Sequence, residues 1–109
     1  VATRYNELLA GFDNVVTPDV VEGHVFHQYT IRVTSLDRDA VHQSMLDAGV
    51  GCMVYYPTPQ DLLPVYANDT SPHAVSASHA IQVISLPIWP ELDLGTQQII
   101  VKALAKALA

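Results

Sequence analysis

The stretch from Gly49 to Tyr66, Gly-Val-Gly-Cys-Met-Val-Tyr-Tyr-Pro-Thr-Pro-Gln-Asp-Leu-Leu-Pro-Val-Tyr, limits what this chain can fold into more than any other. It opens as an apolar run, Val50–Val54, that reads as a strand, and it closes on Pro57, Pro59 and Pro64. Proline lacks a backbone N–H and fixes φ, so neither an interior strand nor a continuous helix can pass through these positions. The strand must therefore stop at Tyr55 and Tyr56. Neighbours in a strand point to opposite faces, which predicts one ring in the core and the other looking out past the end of the sheet. A rigid loop that carries polar-tipped aromatics just beyond a strand suits a ligand. It equally suits a surface crossover in which the tyrosines are packing, and spacing does not separate the two.

The flanking segments supply an α/β pattern. Residues 2–10 read as the end of a helix, with Tyr5, Leu8 and Leu9 on one side and Gly11 as its stop. A linker with Pro18 and the acidic residues Asp13, Asp19 and Glu22 follows. From Val25 to Val33 the chain alternates: Val25, His27, Tyr29, Ile31 and Val33 share one face, and Phe26, Gln28, Thr30 and Arg32 the other. That predicts a strand with one face in the core. Asp37 is placed to cap the next helix, in which Val41, Met45 and Ala48 recur at helical spacing and Gly49 supplies the stop. After the proline-bounded loop, Ser71-Pro72 reads as the opening of a further helix, with Ala74, Ala77 and Ile81 small enough to pack closely on a sheet. Val83–Leu86 reads as the third strand, closed by Pro87 and Pro90. Asp93 caps the last helix, whose inner stripe is Ile100, Leu104 and Ala107, widened by Val101 and Leu108. The expected order is helix, strand, helix, strand, helix, strand, helix, in one domain.

Composition narrows the function classes. A chain of 109 residues suffices for one independent core, and a hydrophobic content of 50% excludes overall disorder. The net charge of −6, with three arginines and two lysines, argues against a nucleic-acid partner, because neutralising phosphates takes clustered cations. Cys52, alone in an apolar run with no neighbouring cation, reads as a small buried hydrophobe. No apolar run reaches the ~20 residues that span a bilayer, so no membrane partner is expected. The start at Val1, almost directly in a helix, reads as a piece cut from a longer cytoplasmic protein.

The polar clusters give little by themselves. His24 and His27 are three apart, and in a strand such residues face opposite ways. His73 and His79 do not share a helical face, and His42 is expected on the outer side of its helix. A closed metal site needs three or four convergent ligands, so no metal is expected. Ser35, Ser44, Ser71, Ser76, Ser78 and Ser85 fall in turn, cap or helix contexts with no nucleophile–base–orienter arrangement. Gly49 and Gly51 do not make a phosphate loop.

Four segments in register resemble one known family. Gly49-Val50-Gly51, Val54-Tyr55-Tyr56-Pro57-Thr58-Pro59 and Leu62-Leu63-Pro64-Val65-Tyr66 together resemble the C-terminal signature of the DegT/DnrJ-type sugar aminotransferases, typically Gly-Ile-Gly followed by His-Tyr-Pro-x-Pro-Leu-His-x-Gln-Pro. Arg4-Tyr5-Asn6 resembles the helix leading into their small domain, and His27-Gln28-Tyr29-Thr30-Ile31-Arg32 their His-x-Tyr-x-x-Arg strand. Ser85-Leu86-Pro87-Ile88-Trp89-Pro90-Glu91-Leu92 resembles the Leu-Ser-Leu-Pro-x-x-Pro segment before their last helix.

The resemblance implies the small C-terminal domain of a fold-type-I enzyme dependent on pyridoxal phosphate (PLP). Its three-stranded sheet would be antiparallel or mixed, with helices mainly on one face. The implied activity is transfer of an amino group from an amino acid, usually glutamate, to a keto-sugar nucleotide, by a homodimer. The Schiff-base lysine and most cofactor ligands would lie in an N-terminal domain absent from these residues, so this stretch alone is expected to be inactive. Tyr55 stands where the family commonly has His, Tyr56 matches, and Gln60-Asp61 replaces Leu-His. Tyr55, Tyr56 and Asp61 are therefore the implied substrate-binding residues, with Asp61 putting a carboxylate where a diphosphate is expected to pass. Lys102 and Lys106 match nothing catalytic. Two other classes stay open: an inactive relative serving as a binding protein, and a small α/β regulatory or ligand-binding module.

Overall fold

The computed structural model describes residues 1–66 and 73–109. Helix α1 (Ala2–Leu9) is followed by a short strand β1 (Val15–Val16), then β2 (Tyr29–Val33) and α2 (Arg38–Asp47). Single 3₁₀ turns cover Gln60–Leu62 and Pro64–Tyr66, and then come α3 (Ala74–Ala80), β3 (Val83–Leu86) and α4 (Leu94–Ala107). The three strands form one antiparallel sheet in the order β1-β2-β3, with Val15 opposite Val33 and Tyr29 opposite Leu86.

The core lies on one side of this sheet. Tyr29, Ile31 and Val33 of β2 and Ile84 and Leu86 of β3 point into it, where they meet Tyr5 and Leu9 of α1, Val41 and Met45 of α2, and Ile100, Val101 and Leu104 of α4. The reverse face is polar: the Thr30 and Ser85 hydroxyls pair at 2.7 Å, and Arg32 donates to Gln82 Oε1 at 3.1 Å. Ser85 thus stands buried in a strand rather than in a turn or cap. Both expected helix caps are present. The Asp37 carboxylate accepts from the N–H groups of Asp39 and Ala40, and Asp93 accepts from the Thr96 N–H. Gly49 ends α2 with φ +81, a conformation a Cβ would strain.

Two expected strands differ from what forms. Val25–Gln28 is not strand; β2 starts at Tyr29, and Val25 is 88% exposed. A strand extends only as far as its partners do. Leu86 is the last residue of β3 to pair, Pro87 follows it without an N–H, and β1 reaches only Arg32 and Val33. The preceding residues fold on themselves instead. The Phe26 N–H donates to His24 Nδ1 at 2.9 Å, the two rings stack at 3.8 Å, and Phe26 takes a positive φ of 48. Val50–Val54 is likewise not a strand. It makes one bridge, Met53 with Ser85, on the free edge of β3, and the Cys52 N–H turns back to the Val50 carbonyl. The third strand of the sheet is Val15–Val16 instead, in the segment read as a linker.

Helix α3 also packs differently from expectation. Ala74, Ala77 and Ile81 are exposed, Ile81 by 67%, and only Ala80 is buried. The reading of Ser71-Pro72 as its opening falls outside the described residues. His42, expected on the outer side of α2, is half-buried with its Nε2 3.0 Å from the Cys52 carbonyl.

These packing differences have measurable consequences. Leu104→Ala, in the centre of the core, should cost about 2–5 kcal/mol in chemical denaturation. Val25→Ala should stay within about 0.5 kcal/mol, although the alternation pattern places Val25 beside Tyr29. A second check concerns acid. Hydrogen bonds first from the Thr96 hydroxyl and then from its N–H hold the Asp93 carboxyl below its ordinary range. The folded pKa is depressed, so this contribution is present above the unfolded value and lost as pH falls through the folded one. Asp93→Asn should therefore flatten the acid limb of the stability profile.

Candidate functional site

The proline-bounded loop and α3 face one another across an open cleft of about 720 Å³. Tyr55, Tyr56, Pro57, Pro59 and Leu63 line one wall, and Val75, Ser76, His79 and Ala80 the other, with Val83 of β3 at the base. Next to it lies a smaller, more polar cavity of about 320 Å³ lined by Gln60, Asp61, Tyr66, His73 and Ser76. Gln60 and Ser76 belong to both, so the two spaces share a wall.

Local chemistry explains the loop wall. Pro57 and Pro59 stop the chain from continuing along β3 beyond Met53. Pro59 then leads into a 3₁₀ turn closed by the Leu62 N–H on the Pro59 carbonyl at 3.0 Å, and Tyr66 N–H closes the next turn on Leu63 at 2.9 Å. These tight turns carry Asp61 and Tyr66 round to the side of α3.

The other wall is held by a buried cation. Arg38, at the start of α2, is almost wholly buried, and its Nη1 donates to the carbonyls of Ala80 at 2.8 Å and Val83 at 2.9 Å. Its Nε meets the Asp39 carboxylate at 2.6 Å, a pair whose acidic partner is in solvent and adds little. The guanidinium thus clamps the turn from α3 into β3 onto α2. Nothing in the hydrophobic periodicity marks Arg38 for this role, because its partners are carbonyls more than forty residues away.

Of the expected site residues, Tyr55 and Tyr56 line the larger cleft and Asp61 the smaller. Neither ring enters the core: Tyr55 is 48% and Tyr56 76% exposed. The expected alternation fails because the segment before them is not a strand. Tyr55 also borders a third cavity of about 220 Å³ with His27, Gln28, Ser85 and Trp89. Sequence reasoning missed the α3 wall. Ser76 and His79 are three apart in a helix and share a face, a signal that was available.

The buried tyrosines belong to the frame. Tyr5 and Tyr29 stack at 4.7 Å, with the Tyr5 hydroxyl donating to the Pro87 carbonyl at 2.7 Å and the Tyr29 hydroxyl to the Asn6 side-chain oxygen. Burial raises both phenols above their ordinary value, and for Tyr29 the Tyr5 ring adds to this. Burial also pushes the Cys52 thiol up, partly offset by a backbone hydrogen bond. Among the described residues no three His, Cys, Asp or Glu side chains converge as a metal site would need. Among those residues no helix is long and apolar enough to cross a membrane.

Comparison with known proteins gives these clefts a context. The model of the DegT/DnrJ/EryC1/StrS aminotransferase family matches residues 1–105, and the chain belongs to that family. A pleiotropic regulatory protein of Geobacillus stearothermophilus is 42% identical over 96% of this chain. A UDP-N-acetyl-3-dehydro-alpha-D-glucosamine 3-aminotransferase of Acidithiobacillus ferrooxidans is 38% identical over 81% of it. The chain spans only 30% and 24% of the length of these relatives. The crystal structure of DesV from S. venezuelae, in complex with a ketimine intermediate, superposes with a TM-score of 0.82 at 28% identity, covering 98% of this chain and 30% of that one. The α/β architecture with its antiparallel sheet is that of the family's solved aminotransferases.

The residues present do not form a PLP site by themselves. Lys102 and Lys106 are exposed on α4 and line neither cleft, and Asp61 is the one carboxylate bordering either space among the described residues.

Cys52 gives a direct check of this frame. Its thiol should resist an aromatic disulfide reagent in the native protein and react stoichiometrically once denaturant is added, because the reactive thiolate is suppressed and shielded.

Proposed function

We propose that this chain is the small C-terminal domain of a cytoplasmic, homodimeric aminotransferase. The whole protein would use PLP to move an amino group from an amino acid, glutamate in our reading, to a keto-sugar nucleotide. PLP supplies the amino-group carrier between the two half-reactions; the residues that bind and activate it belong to a further N-terminal domain. The reading is carried by one pairing: a family match across nearly the whole chain, and a cleft that presents Tyr55 and Tyr56 and, among the described residues, no lysine. Such a surface can bind and orient a substrate but cannot run the chemistry, so the domain acts as the substrate-facing half and is inactive alone.

Each named residue has a role suited to that task. The Tyr55 and Tyr56 hydroxyls donate to and accept from sugar or phosphate oxygens, and Asp61 only accepts. The prolines restrict the loop before the ligand arrives, which lowers the ordering cost of binding. A second reading, a regulatory protein without transaminase activity, draws on the name of the Geobacillus relative.

Kinetics of the full-length protein separates the two. Tyr56→Phe should weaken the sugar half-reaction by roughly 0.5–1.5 kcal/mol, about two- to tenfold in kcat/KM, and leave the amino-donor half-reaction unchanged. Lys102→Ala and Lys106→Ala should leave both halves as they are. A full-length protein with no turnover on any keto-sugar nucleotide would favour the regulatory reading.

A further inference from the structure

Helix α2 reaches both walls of the larger cleft from behind. Val41 and Met45 seat it in the core, and the Asp37 carboxylate caps its first turn, so α2 belongs to the frame. Arg38 and His42 stand four residues apart on it, about one helical turn, which places them on the same side. Arg38 Nη1 donates to the carbonyls of Ala80 and Val83, and both of those residues line the cleft. His42 Nε2 lies 3.0 Å from the Cys52 carbonyl. A carbonyl only accepts, so it is Nε2 that carries the hydrogen. The next residue, Met53, exchanges two backbone hydrogen bonds with Ser85, at 3.0 and 2.7 Å, two residues before the wall that begins at Tyr55.

The walls themselves contribute little packing. α3 buries Ala80 alone, and Tyr55 and Tyr56 are exposed. Gln82 is tied to β2 by the Val33 N–H at 2.8 Å and by Arg32 at 3.1 Å, which secures the entry to β3. Fixing Ala80, where α3 ends, falls to Arg38. On the opposite side Ser85 holds Met53 from the sheet edge, and His42 holds Cys52 from behind. Hydrogen bonds to carbonyls act at set lengths, and removing the donor leaves an acceptor unpaired. The separation of the walls is thus referred to two side chains on one rigid helix.

We propose that Arg38 and His42 are positioning residues that together fix the two walls of the cleft relative to one another. Arg38 sets the α3 wall and His42 the tyrosine wall, and neither side chain lines the cleft. Sugar-nucleotide binding then depends on two residues that do not touch the ligand. The proposal rests on the reading of this cleft as the substrate-facing surface of an aminotransferase.

The test uses the full-length protein saturated with PLP, and joins hydrogen exchange followed by mass spectrometry to kinetics of both half-reactions. Arg38→Met should speed exchange in the α3 peptide about tenfold or more, the effect of losing a hydrogen bond from a charged donor. His42→Leu should do the same for the peptide that holds Cys52 and Met53. Peptides from β2 and α4 should exchange as in wild type in both variants. Each variant should raise KM for the keto-sugar nucleotide roughly three- to tenfold, the worth of one misplaced hydrogen bond, and leave the amino-donor half-reaction within about twofold. Arg38→Lys and His42→Gln, which keep a donor, should recover part of both effects, and they supply the measurement if the apolar variants do not fold. Faster exchange throughout the domain, unchanged exchange in the walls, or equal losses in the two half-reactions would each overturn the positioning role while leaving the aminotransferase reading in place. So would selective exchange with an unchanged KM. A wild type without turnover on any keto-sugar nucleotide would overturn that reading and this one with it.

Discussion

The pairing of β2 with β3 is the constraint on which the remaining structure depends. Four residue pairs, from Tyr29 with Leu86 to Arg32 with Val83, join segments more than fifty residues apart. Closing so long a loop costs entropy, but the cost grows only slowly with length. The register it sets puts Tyr29, Ile31, Ile84 and Leu86 on one face, where α1, α2 and α4 cover them. It also decides which edges stay open. β1 takes one edge of β2, and the free edge of β3 accepts the single Met53 bridge that delivers the chain to the proline loop. The candidate site is therefore a consequence of where β3 ends up, not of local preference in the loop alone.

Buried polar groups then hold the helices at set positions. Arg38 binds the α3–β3 turn, Asn6 ties α1 to the Pro18 carbonyl, and Gln97, fully buried in α4, donates to the Val1 carbonyl at 3.0 Å. Losing these partners would be costly, so their geometry is specified more tightly than an apolar contact would be, although the Gln97 Oε1 itself is buried without a hydrogen-bond partner. For the cleft this matters most at Arg38, because α3 itself contributes only Ala80 to the buried interior. A helix so lightly packed keeps its place through the guanidinium and its connection to β3.

The two lysines lie on the outer side of α4, the larger cleft is lined by Tyr55 and Tyr56 with Pro57 and Pro59, and Asp61 borders the smaller cavity beside it. With three arginines and two lysines against a net charge of −6, the chain carries few cations, and none borders either space among the described residues.

Much of the fold was legible in the residues. The caps at Asp37 and Asp93, the stop at Gly49, the strand at Val83–Leu86 and the apolar stripe of α4 follow from local rules, and all are present. The placing of Tyr55 and Tyr56 on a proline-bounded loop was legible too, since proline's missing N–H acts wherever the chain goes. Alternation from Val25 to Val33 and the apolar run at Val50–Val54 were misleading for one reason. A strand exists only where another strand lies beside it, and partners are a tertiary matter. Pro87 and the brevity of β1 left Val25–Gln28 without any, and Val15–Val16, too short to show a period, took the edge position instead. The α3 wall, the Arg38 clamp and the meeting of Asp61 with His73 and Ser76 join residues distant along the chain, and only the folded structure could bring them together.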